Sequence, residues 1–186
     1  MVGIRKIVVI LALAAILAAL SAPAAAQGAA MQTTQQSKMQ METSGKNVID
    51  TLSGMPDVSM AASMLKSSEK EMKWAGSLHT LFIPTDAALS KMGMDQDRLN
   101  KVMSDRVVAG RAMQGFMSLG EVKPSDMTDG KTLSMVSGNK VTIRNVDGQL
   151  SVDGAKITKA IKTTNGMIYI IDSVPPSMVT MGFMSR

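Results

Sequence analysis

Apolar positions in the first half of the chain recur with helical spacing. Asn47 can cap a short turn holding Val48, Ile49 and Leu52, and Gly54 and Pro56 then interrupt it. Asp57 offers a second N-cap ahead of Val58, Ala61, Ala62 and Leu65, which share one face at i, i+3, i+4 and i+7. Ser68 and Glu71 have capping-box spacing, so a further turn is expected to carry Met72 and Trp74 until Gly76 ends it. The run from Thr80 to Ile83, stopped by Pro84, reads as a buried strand. Thr85 and Asp86 suit the first turn of a helix through Leu89 and Met92, closed by Gly93. Asp95 and Asp97 open another helix, with Leu99, Val102, Met103 and Val107 facing inward and Ala109 and Gly110 finishing it.

From Thr132 the pattern becomes short and β-like. Leu133 to Val136, Val141 to Arg144, Gln149 to Val152, Lys156 to Ile161 and Met167 to Ile171 are expected strands. They are separated by Gly138-Asn139, Asp147-Gly148, Asp153-Gly154 and Asn165-Gly166. Asp-Gly and Asn-Gly are hairpin signals because both residues tolerate positive φ. Helices followed by a β-meander predict an α+β domain over 47–178. Pro175 and Pro176 end the last strand, and 179–186 has no period and is expected to be loosely attached.

Ahead of the domain, 27–46 is Gln, Thr, Ser, Ala and Met without a period of 2 or 3.6, and a mobile linker is expected there. Residues 1–26 have the three parts of an export signal: Arg5 and Lys6, the apolar run Ile7 to Leu20, and Ala24 to Ala26. The alternative is that the apolar run is retained as a membrane anchor. Either way the domain is expected to be secreted, extracellular or held at the cell envelope.

Composition narrows the chemistry. The 186 residues include no Cys, so stability comes from packing and hydrogen bonds, and thiol chemistry is excluded. The formal charge of +5 falls to about +3 without Arg5 and Lys6, and the remaining Lys and Arg are scattered. With aromatics at 3%, the basic stripe and stacking residues of a nucleic-acid binder are missing. His79 is the only histidine, so a serine triad or a histidine metal site would have to pass through it, and it reads more simply as a polar residue on a strand rim. No nucleophile elbow, phosphate loop, zinc-protease motif or calcium loop is present. No catalysis and no cofactor are expected.

Two segments then carry a resemblance. Thr80-Leu-Phe-Ile-Pro-Thr-Asp-Ala-Ala-Leu89 is similar to the strand-Pro-Thr-Asp-helix block of the fasciclin domain family, and Asn165-Gly-Met-Ile-Tyr-Ile-Ile-Asp172, followed by Val174, is similar to its closing strand. Between them Ser125-Asp-Met-Thr-Asp-Gly-Lys-Thr-Leu133 resembles the family's turn into the sheet. The resemblance covers about Asn47 to Met178. It implies a cluster of N-terminal helices packed on a twisted β-sandwich or wedge of short strands. It also implies extracellular or membrane-tethered members engaged in cell adhesion or matrix association. The partners it implies are a cell-surface or extracellular protein or polysaccharide, or a second copy of the chain. Members often carry a Tyr-His pair where this chain has Asp105-Arg106, and a His where it has Tyr169, so the receptor-binding role connected with that pair is not carried over.

The family-motif positions Thr80, Phe82, Pro84, Thr85, Asp86, Arg106, Asn165, Gly166, Tyr169 and Asp172 are the candidate binding residues. Each also has a structural reading. Thr85 and Asp86 serve a helix start, Asn165-Gly166 a tight turn, and Asp172 the backbone donors at a sheet end. The alternative function rests on methionine, of which the chain has 19. Thioethers are soft ligands suited to Cu(I) or Ag(I), and Met39, Met41, Met92, Met94, Met178, Met181 and Met184 are the candidates. Methionine is equally a flexible core filler, as its helical positions Met64, Met72 and Met103 suggest.

Overall fold

The computed structural model describes residues 39–72 and 78–179. Its first element is a strand, β1 (Gln40–Thr43), followed by helices α1 (Val48–Ser53) and α2 (Ser59–Met72). Strand β2 (His79–Pro84) leads into α3 (Asp86–Lys91), α4 (Gln96–Ser104) and α5 (Arg106–Gln114). The rest is sheet: β3 (Met117–Leu119), β4 (Thr132–Ser134), β5 (Lys140–Val146), β6 (Gln149–Val152), β7 (Ala155–Thr163) and β8 (Gly166–Ile171). This is the expected α+β class, with helices first and a meander after.

The strands pair in the order β3-β2-β8-β7-β6-β5-β4, with β1 added in parallel to β7. A bridge between Ser118 and Met135 joins β3 to β4, and the Val136 N–H donates to the Met117 carbonyl at 2.7 Å, so the two ends of the path meet and the sheet closes on itself. At its centre β2 and β8 run parallel, Phe82 opposite Tyr169. Every residue of both strands is buried. That explains why they read as unbroken apolar runs, as central strands covered on both faces do. On the helical side α2 packs against α1, α4 and α5. Leu52, Val58, Met64, Leu65, Leu81, Ile83, Ile168 and Ile171 share one core, each large side chain contributing about 1.5–3 kcal/mol on burial.

Two of the hairpin signals act as expected, whereas at Asn165-Gly166 the loop is Thr164-Asn165 and Gly166 is the first residue of β8. Asp147 and Gly148 have φ of 52° and 82°, and Asp153 and Gly154 have 43° and 87°, the doubly positive pattern that lets a two-residue loop follow the sheet's twist. Asn47 caps α1 by accepting the Asp50 N–H.

Several expectations are corrected. The linker does not run to Lys46, because 40–43 pairs with Lys159–Lys162 of β7. All four of its side chains are exposed, so it has no apolar alternation to detect. Asp57 lies in a 3-10 turn, Pro56–Val58, and α2 starts at Ser59. Ser68 opens no second turn; its hydroxyl donates to the Leu65 carbonyl inside a continuous α2. Trp74 and Gly76 lie outside the described residues, as do the export signal, 27–38 of the linker and most of the tail.

The single helix expected from Asp95 to Gly110 is two. Asp105 leaves helical geometry (φ −116°, ψ 106°), and its carboxylate takes the N–H groups of Val107 and Val108, starting α5. Val107 consequently points outward, and Ala109 and Gly110 lie within α5 instead of ending it. His79 is buried at the start of β2, not on an exposed rim.

Candidate interaction surface

The motif residues of β2 and β8 meet around one strap of chain. Thr80, fully buried, donates from Oγ1 to the Gly120 carbonyl at 2.8 Å and accepts the Val122 N–H at 2.8 Å. Tyr169 stacks on Phe82 with centroids 5.5 Å apart, and its hydroxyl donates to the Val122 carbonyl at 2.6 Å. Two buried hydroxyls thus fix 120–122 across the sheet. Burial raises the Tyr169 phenol well above its ordinary range, and the carboxylates of Asp126 and Glu121 add to that.

The Pro84-Thr85-Asp86 corner ties two helices together. Thr85 caps α3 by accepting the Ala88 N–H. Asp86 reaches back to α2, where its carboxylate accepts the Ser59 N–H at 3.0 Å, the Ser59 hydroxyl at 2.6 Å and the Met60 N–H at 3.0 Å. One acidic side chain in the first turn of α3 therefore satisfies the start of α2, where backbone donors lack partners and negative charge is favoured. Beside it, a cleft of about 390 Å³ lies between α1 and α2, lined in part by Met55, Pro56, Ser63 and Lys66.

The remaining candidates stand apart. Asn165 accepts the first N–H of α1, from Val48, at 2.9 Å. Gly166 has φ of 156°, and a Cβ there would sit 2.1 Å from the His79 carbonyl oxygen, so glycine is demanded by the contact of β8 with β2. Asp172, exposed, accepts the Lys156 N–H at 2.9 Å, the role expected of it. Arg106 is exposed on the first turn of α5 and joins none of these groups.

The methionines divide. Met94 and Met178 are buried in the core, and Met39 and Met92 pack partly against it. Met41 is exposed on β1, and Met181 and Met184 lie outside the described residues.

Exposed apolar side chains form a feature the sequence did not single out. Leu78 (49% exposed) and Leu119 (68%) stand at one end of the β2–β3 ladder, where Leu119 pairs with His79 and the Gly120 N–H donates to the Leu78 carbonyl. Each is a lone apolar residue in a polar context, and only the fold brings them to one edge. Among the described residues no helix is long and apolar enough to cross a membrane.

A family model described as the fasciclin domain matches residues 56–174. No curated protein matches the chain. Among solved structures, the FAS1 domain pair from the insect cell adhesion molecule Fasciclin I is similar, with a TM-score of 0.55 and 16% sequence identity over 73% of this chain. The match spans 53% of that structure, about half its length, and the likeness is one of fold.

Proposed function

We propose, because the chain belongs to the fasciclin domain family, that it is a secreted or surface-exposed binding module that attaches to a cell-surface or extracellular protein or polysaccharide and does not catalyse a reaction. Fasciclin domains are in general adhesion-related and extracellular or surface-associated, and the match over 56–174 is the observation that carries this reading. Leu78 and Leu119, exposed at one end of the β2–β3 ladder, are the apolar positions this reading offers to a partner. In this reading the buried motif residues hold the surface in shape, while Leu78, Leu119 and exposed Arg106 and Asp172 are available to touch a partner.

The test is retention of purified protein on washed cells and on extracellular polymer from the source organism, with and without a Cu(I) chelator. Retention that survives the chelator and is lost in Leu78→Lys/Leu119→Lys is the expected result. No retention would defeat the adhesion reading, and retention only with metal would transfer the function to the thioethers.

A further inference from the structure

The β7 edge under β1 is built to require a strand, while β1 is held in a way that allows it to leave. None of the four β1 side chains is buried. Its attachments are the ladder from Gln40↔Lys159 to Thr43↔Lys162, the Ser44 N–H on the Lys162 carbonyl at 2.7 Å, and an ion pair between Glu42 and Lys159 at 2.9 Å. Partly buried Met39 adds an apolar contact just ahead of the strand. Beneath it, Ala160 and Ile161 of β7 are buried, and their strand would present unpaired N–H and C=O groups if β1 departed. The connection to α1 is only Ser44, Gly45 and Lys46, and a side chain at Gly45 would meet nothing.

We propose that β1 is an exchangeable strand and that its partner is a second copy of this chain: in a dimer, β1 of each copy pairs with β7 of the other in the register it has here. The closed and exchanged forms make the same β1–β7 hydrogen bonds and the same Glu42–Lys159 pair. They differ in the conformation of 44–46, where the Ser44–Thr51 hydroxyl bond at 2.8 Å and the Thr164 N–H bond to the Lys46 carbonyl at 3.0 Å must be remade, and in the cost of association, which makes the balance depend on concentration. β1 is the first element of the described fold, so its exchange need not disturb the core. A second copy is the favoured occupant because its β1 brings the length, register and charge that this edge already accepts.

The absence of Cys makes the test free of background. Full-length Thr43→Cys and Lys162→Cys, both at exposed register partners, are mixed at high concentration, refolded together and oxidised. The expected result is a covalent heterodimer that neither variant forms alone. Tenfold dilution before oxidation lowers its ratio to monomer by about tenfold while the dimer is the minor species. The charge-reversed pair Glu42→Arg and Lys159→Glu gives an independent reading: each alone carries its like-charge clash in the closed and exchanged forms equally and dimerises as the parent chain does, whereas the mixture recovers both ion pairs only as a heterodimer, which sedimentation should show in excess of either variant alone. A mixture with no more covalent dimer than its components, and with no recovery by the reversed pair, overturns the proposal. So does a chain that stays monomeric while its β7 edge takes up a synthetic peptide of 39–46, which would assign the edge to a foreign strand.

Discussion

Tyr169 is the chain's one tyrosine, and inside the protein its hydroxyl has a single carbonyl partner, on Val122. Because the fold raises its pKa above the ordinary value near 10, the neutral phenol is the form the folded state favours. The contribution is fully present below about pH 10, where the unfolded phenol is also protonated, and is lost as pH rises above that value. The phenolate absorbance near 295 nm is therefore expected to appear only with unfolding. A phenolate forming near pH 10 in folded protein would refute the assignment. Tyr169→Phe keeps the stacking on Phe82 but leaves the Val122 carbonyl without its partner. It should cost about 1–2 kcal/mol in urea unfolding at pH 7 and make stability fall less steeply above pH 10. The sequence placed Thr80, Asp86 and Tyr169 on motif positions without naming what they touch. Their partners lie 40, 27 and 47 residues away, distances at which only tertiary packing decides.

Helix α2 shows how an element depends on a side chain from another. Its first N–H groups are taken by Asp86, so the Pro-Thr-Asp corner secures α2 as well as α3. Asp86→Ala should cost about 2 kcal/mol, read as a lower urea midpoint at unchanged slope, and Asp86→Asn should recover part of it through its remaining oxygen acceptor. A loss under about 0.5 kcal/mol would mean that water or another donor arrangement replaces the carboxylate. Elements with a buried face and a turn signal were legible: α1, α3, β2 and the β5 to β8 meander. Strand β3 was not, since three residues cannot display a period and its last one, Leu119, is exposed. The break at Asp105 was hidden because an acidic residue within an apolar helical pattern reads as a surface position until its carboxylate is seen capping α5.

For the whole molecule, closure of the sheet leaves stability unevenly spread. β2 and β8 are buried along their full length and paired on both edges, whereas β1 has exposed side chains and pairs only with β7 among the described residues. Amides of β8 should therefore exchange with solvent deuterium only on global unfolding, with a steep denaturant dependence. The Ser44 amide, bonded to the Lys162 carbonyl, should exchange by local opening that is several-fold to many-fold faster and nearly independent of denaturant. This contrast separates two ways in which copies could exchange β1. If Ser44 is as protected as Ile168, β1 cannot detach without unfolding the core, and dimers would form only during refolding. If it opens locally, the folded chain passes continually through a state in which the Lys159–Lys162 edge is vacant, and exchange between folded copies then depends on concentration.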